Sequence, residues 1–132
     1  MVCLGCEVGA CPATASVSRF EGASGVAEYH LVVRPTEYGS VEEQLVWVER
    51  AYRAALGELG LNGGTAVFRR FFCSDLPNQS SVLEAAPFSN FRNPDEPCAI
   101  SWVRQPSVSP AKVTLWAYHI SDPARALNKT LA

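Results

Sequence analysis

The sequence predicts an α+β fold in the order β-β-α-β-α-β-β, with both helices on one face of a mixed sheet. Three observations predict it. Short runs of β-branched and aromatic residues flank a glycine-bearing turn at Gly22–Gly25, a long amphipathic segment with a helix-start signature follows, and from Thr65 the apolar period falls from about 3.6 residues to two. At 132 residues, 48% of them hydrophobic, the chain can bury one core and is too short for two. The expected division is a flexible, cysteine-containing N-terminal arm over residues 1–16, a single domain over 17–120 and a polar tail over 121–132.

Each element has its own physical reason. Val17–Phe20 and Ala27–Arg34 are strand-like, and Gly22 to Gly25 between them reads as a hairpin turn; Pro35 ends the second strand because it lacks the backbone donor that a continuing ladder needs. Ser40 and Glu43 form a capping box, each side chain satisfying the other's orphan backbone donor. Leu45, Val48, Tyr52, Ala55, Leu56 and Leu59 then recur at helical spacing, with Glu42, Glu49, Arg50, Arg53 and Glu58 on the remaining faces. Gly60, Gly63 and Gly64 stop this helix, and Leu61 is expected to tuck back against its last turn.

In the next strand Phe68, Arg70 and Phe72 fall on one side, while Val67, Phe71 and Cys73 fall on the other with Arg69 intruding. Helices cover one face only, so large residues on the opposite face call for a second protein surface, most simply another copy of the chain. Asp75–Asn78 reads as a turn, Gln79–Ala86 as a shorter helix, and Pro87–Glu96 as a loop carrying Phe88, Phe91 and Arg92. Cys98–Gln105 and Lys112–Ile120 are the last two strands.

Charge and motif content exclude several function classes. Eleven basic and thirteen acidic residues, with no run of either sign, give no electrostatic footprint for nucleic acid or an anionic membrane. No apolar run approaches the roughly 20 residues that span a bilayer, and the start of the chain lacks the charged and apolar regions of a signal peptide, so a cytoplasmic protein is expected. Of the five cysteines, Cys73 and Cys98 sit in apolar strands and read as core. Cys3, Cys6 and Cys11 are spaced C-x2-C-x4-C, but no second pair and no nearby histidine completes a zinc set, so neither a metal nor another cofactor is expected. Serine-hydrolase, zinc-protease and phosphate-loop motifs are missing from the sequence.

The helix, the Gly-Leu-Asn-Gly-Gly at 60–64, the strand from Thr65 and Ser74-Asp-Leu76 together resemble the RidA/YjgF superfamily, the endoribonuclease L-PSP family of older naming. The resemblance covers about residues 27–120. It implies a chorismate-mutase-like sandwich, assembled as a homotrimer around a barrel-like centre, with ligand clefts between subunits. In deaminating members an arginine two residues after a proline at the start of the penultimate strand clamps the carboxylate of an imine. Here Pro97-Cys98-Ala99 occupies that place and Ala99 stands at the arginine position; Ser101 and Thr114 replace the family's cysteine and glutamate, and Tyr29–Arg34 replaces its Ser-Gly-Gln strand. The resemblance therefore carries the fold and the cleft, while three departures at one site argue against 2-imino-acid deamination.

Strand parity supplies the candidate site. Ala99, Ser101 and Val103 share one side, Thr114, Trp116 and Tyr118 share another that should meet it, and Arg70 and Phe72 join from the neighbouring strand. Arg70, Phe72, Ser101, Thr114, Trp116 and Tyr118 are the expected ligand-binding set: aromatic, weakly polar and cationic, suited to a small organic acid with a cyclic or aromatic body. Arg70 reads either as an anion clamp or as an inter-subunit ion pair, and Trp116 and Tyr118 either as cleft wall or as subunit packing. His30 and His119 are candidate general bases, because free imidazole changes charge near neutral pH, or plain structural histidines. A chorismatase-like lyase or hydrolase module and a noncatalytic scaffold trimer are the alternatives, the second marked by a cleft plugged with Trp116.

Overall fold

The computed structural model describes residues 2–5, 12–22, 25–61, 65–86, 88–89, 98–105 and 108–121, with the backbone alone at 2–5. The strands are β1 (Val2–Gly5), β2 (Ala13–Glu21), β3 (Ala27–Pro35), β4 (Ala66–Cys73), β5 (Ala99–Arg104) and β6 (Val113–Ser121); the helices are α1 (Val41–Leu59) and α2 (Leu76–Ala85). They form one sheet in the order β1-β2-β3-β6-β4-β5. All neighbours are antiparallel except β4 and β5, which run parallel and are connected through α2. This is the mixed, one-side-covered α+β sandwich that the sequence pattern predicts.

The hairpin between β2 and β3 turns at Gly22–Gly25: Gly25 takes φ 83°, a left-handed conformation that suits glycine, and Gly22 donates to Val26 O at 2.9 Å. The helix-start signature on α1 is realised in full, with Glu43 N donating to Ser40 Oγ at 3.1 Å and Ser40 N donating to Glu43 Oε1 at 3.0 Å. At the other end Gly60 adopts φ 70° and Leu61 N reaches Leu56 O, so the glycine stop and the tucked leucine both form.

Side-chain alternation sorts the sheet into two chemically different faces. Ala15, Val17, Tyr29, Leu31, Val33, Phe71, Leu115 and Ala117 are buried toward α1, whose Leu45, Val48, Tyr52, Ala55 and Leu56 complete the core. Each large apolar side chain removed from water there contributes about 1.5–3 kcal/mol. Cys73 and Cys98 are buried thiols as expected, and burial pushes Cys73 up to about 11.

The structure departs from the sequence reading in three places, and it buries one residue, Gln44, that the sequence did not single out. β2 starts at Ala13 and pairs along its first half with β1, so strand pairing begins before Val17, where the first strand was expected. The shorter helix begins at Leu76 rather than after Asn78, because Pro77 lies in the first turn, where a missing N–H costs nothing. A bulge between Ala66 and Phe68 leaves Val67 outside the β4–β6 pairing, so Ala66 takes the buried place and Val67, expected on the side of Phe71 and Cys73, is half-buried. Gln44, adjacent to the apolar stripe of α1, is fully buried. The side chains of Cys3, Cys6, Cys11, Phe91 and Arg92 lie outside the described residues.

Candidate functional site on the open sheet face

Among the described residues, the second face of the sheet carries no helix. Cross-strand register lays its side chains out in rows: His30, Tyr118, Phe68 and Ala99 form one, Val32, Trp116, Arg70 and Ser101 the next, and Thr114, Phe72 and Val103 a third. All six residues expected at the site therefore share one surface. They do not converge on one point, however, and the surface has two regions of different chemistry.

The first region is an aromatic cluster with a cation in it. The Arg70 guanidinium lies 5.1 Å from the centroids of both Phe68 and Trp116, and the Phe68 and Trp116 rings meet edge to face at 5.1 Å. Among the described residues no carboxylate pairs with Arg70. Trp116 donates from Nε1 to His30 Nδ1 at 3.1 Å, and the His30 ring stacks on Tyr118 at 4.7 Å. Accepting that bond requires a lone pair on Nδ1, so His30 carries its proton on Nε2 when neutral. Tyr118 donates its hydroxyl to Glu28, and partial burial together with this bond and the nearby negative charge pushes the phenol up to about 12. Tyr118 is therefore a neutral donor at physiological pH, not a base. Ser101 lies beside Arg70 on the edge strand and is exposed.

The second region is a pocket of about 270 Å³ where β3, β4 and β6 meet the loop before β6. Val32, Phe72 and Val108 give it apolar walls, and Arg34, Gln105 and Thr114 supply polar groups. Of the expected set only Phe72 and Thr114 line it; Arg70, Ser101, Trp116 and Tyr118 lie outside its wall. Arg34 was not among the expected residues. Its position before Pro35 marked the end of a strand, and its alternation with Val33 was the available signal that it faces the open side.

The walls of this pocket are fixed from behind. Gln44 on α1 donates from Nε2 to Glu37 O at 3.1 Å and to Pro110 O at 2.9 Å, while its Oε1 accepts from Lys112 N at 2.7 Å. One buried amide thus ties the segment leaving β3 to the segment entering β6. Ser74 N adds a bond to Lys112 O at 3.1 Å, and the Tyr38 and Ser109 hydroxyls bond at 2.9 Å across the same two segments.

His119 belongs to neither region. It is fully buried on the helix side, with Nε2 at 2.7 Å from the Tyr52 hydroxyl and Nδ1 at 2.9 Å from Thr65 Oγ1. Arg69 donates from Nε to the same tyrosine oxygen at 3.3 Å and from a terminal nitrogen to Phe88 O at 3.2 Å. A self-consistent direction runs from Arg69 to Tyr52, from the Tyr52 hydroxyl to His119 Nε2, and from His119 Nδ1–H to Thr65. Burial raises the Tyr52 phenol, against the opposing pull of the Arg69 charge. This network holds the bulged start of β4 to α1 and is structural. No group of metal-ligating side chains occurs among the described residues, and no helix among them is long and apolar enough to cross a membrane.

A mixed sheet with two helices on one face and, among the described residues, an aromatic, cation-bearing face without a helix defines the class: a small α+β sandwich. No family model matches the sequence, and no curated protein matches it. Solved structures do. A YjgF-family protein from Neisseria meningitidis aligns over 81% of this chain and 96% of its own at 11% identity with a TM-score of 0.59. Yeast Mmf1 aligns over 90% of this chain and 92% of its own at 13% identity and 0.57, and a protein of the conserved Rid family from Yersinia pestis over 82% and 79% at 17% identity and 0.54. The fold of this chain is the RidA/YjgF superfamily fold.

Proposed function

We propose that the chain assembles as a homotrimer through its open sheet face and binds a small organic acid in a cleft at that face, without 2-imino-acid deaminase chemistry. The observation that carries this reading is the uncovered cluster of Phe68, Trp116, Tyr118, His30 and Arg70, on the same surface as a pocket lined by Phe72 and Thr114. Aromatic rings and arginine are the residue types that interfaces enrich. The trimer is what the resemblance to the RidA/YjgF superfamily implies, and the YjgF- and Rid-family structures share the fold on which that resemblance rests.

The deaminase chemistry is set aside on chemical grounds. Ala99 and Ser101 on β5 offer neither a guanidinium fork for a carboxylate nor a thiol, and Thr114 cannot accept a proton as a carboxylate can. Trp116 bonds to His30 and lies outside the pocket wall, which favours a ligand-binding protein over a scaffold plugged by that ring. A chorismatase-like module is the competing enzyme reading, and turnover of chorismate would establish it.

Native mass spectrometry under reducing conditions tests the assembly. A threefold mass is expected, and a monomer across the micromolar range would overturn the inter-subunit cleft. A coupled assay that generates 2-imino acids with an amino-acid oxidase should show no acceleration of ammonia release, and clear acceleration would restore the deaminase reading.

A further inference from the structure

Arg34 is the cation that the pocket holds, and nothing in the described structure neutralises it. It is exposed at the end of β3, opposite Thr14 of β2, and no hydrogen bond or ion pair engages its guanidinium among the described residues. It borders the 270 Å³ pocket on one side and, with Thr36 and Ser109, a second hollow of about 220 Å³ on the other. Arg70, by contrast, is held between two aromatic rings and is outside the pocket wall.

We propose that Arg34 is the anion anchor of this site and that the pocket takes a planar monocarboxylate with an aromatic or cyclic body. The proposal rests on the organic-acid reading above and deepens it. A single guanidinium fork matches a single carboxylate in two parallel hydrogen bonds. Val32, Phe72 and Val108 present apolar surface for a flat body, and Gln105 and Thr114 are the remaining polar residues of the wall. At roughly 30 Å³ per water-sized unit the volume seats on the order of ten non-hydrogen atoms, enough for a single-ring acid such as benzoate. Gln44 is the positioning residue: by tying the chain at Glu37 to the chain at Pro110 and Lys112, it holds the loops that wall both hollows beside Arg34 before any ligand arrives.

The test is a titration of the full chain with benzoate, and with benzamide as its neutral isostere, followed by ligand-observed NMR and calorimetry. Wild type should bind benzoate in preference to benzamide. Arg34→Gln should weaken benzoate about tenfold or more and leave benzamide unchanged, and Arg34→Lys should fall between, because it keeps the charge and loses the fork. Thermal melts of both variants should match wild type, since the side chain is exposed and makes no bond among the described residues. Equal benzoate affinity in wild type and Arg34→Gln overturns the proposal. If Arg70→Gln is then the variant that loses binding, the organic-acid reading survives with a different anchor. Failure of wild type to bind benzoate also overturns the aromatic-carboxylate assignment, and binding of 2-oxobutanoate in that case would leave the broader reading intact.

Discussion

Replacing Gln44 with leucine isolates the contribution of one buried amide to the shape of the pocket. Leucine keeps most of the volume inside α1's packing face but removes three hydrogen bonds: two donated to Glu37 O and Pro110 O, and one accepted from Lys112 N. A typical bond of this kind is worth about 1 kcal/mol net, and more where the abandoned partner stays dry. Glu37 and Lys112 are exposed and Pro110 is half-buried, so water can replace part of what is lost. The leucine methyl groups recover roughly another 1 kcal/mol through burial. The net loss is therefore about 2–3 kcal/mol, equivalent to a fall of about 1–2 M in the urea midpoint. Equilibrium unfolding at fixed protein concentration measures the total, and amide hydrogen exchange at Lys112 measures the local effect. The Lys112 amide should lose more protection than the global loss accounts for, while Leu31 and Leu115 amides follow the global value. A change below about 0.5 kcal/mol with unaltered exchange at Lys112 would refute the reasoning, because surface substitutions without structural roles fall in that range.

Other outcomes follow from the same geometry. Tyr52→Phe removes the hydroxyl shared by Arg69 and His119, and should cost about 1–3 kcal/mol in urea unfolding; no loss would mean that the buried groups find substitutes. Cys73, with its thiol pushed up to about 11 by burial, should resist alkylation at mildly basic pH and react only as urea unfolds the chain, read by peptide mass mapping. The Ser40 backbone and hydroxyl hold Glu43 below the usual carboxylate range, so its contribution is fully present above the unfolded value and disappears as pH falls through the folded one. The gap in urea midpoint between wild type and Glu43→Ala should accordingly narrow on acidification, and a constant gap would contradict the capping role. Trp116→Glu places a carboxylate in the aromatic cluster and should leave the proposed trimer as monomers in native mass spectrometry; a threefold mass for this variant would move the interface elsewhere.

Local signals made most of the fold legible. The Ser40–Glu43 box, the glycine stop at Gly60 and the turn at Gly22–Gly25 depend on residues a few positions apart, and each forms as expected. Period-two alternation also assigned Phe68, Arg70, Phe72, Thr114, Trp116 and Tyr118 to one surface, because a strand's parity is a local property. What the sequence concealed depends on distance along the chain. Gln44 was not singled out by any pattern, and only the approach of residues 37, 110 and 112 makes its burial favourable. Arg69 looked like an exception to a hydrophobic set, until Tyr52 and Phe88 closed over its guanidinium from other elements. Arg34's alternation with Val33 placed it on the open side, but nothing local marked its pocket, since Phe72, Gln105, Val108 and Thr114 lie far from it in sequence.

Tyr118 and His119 are consecutive on β6, yet one phenol reaches Glu28 on the open face and the other ring reaches Tyr52 inside. A single extended backbone separates two groups of side chains that share no hydrogen bond among the described residues. Such a partition decouples the two kinds of change that a protein can accumulate. Residues at even positions along this strand can be exchanged to suit a new ligand or a new subunit contact without disturbing those at odd positions, on which folding depends. A one-residue insertion or deletion in β6 has the opposite character, since it would turn Trp116 and Tyr118 inward and expose Leu115 and Ala117 in a single step.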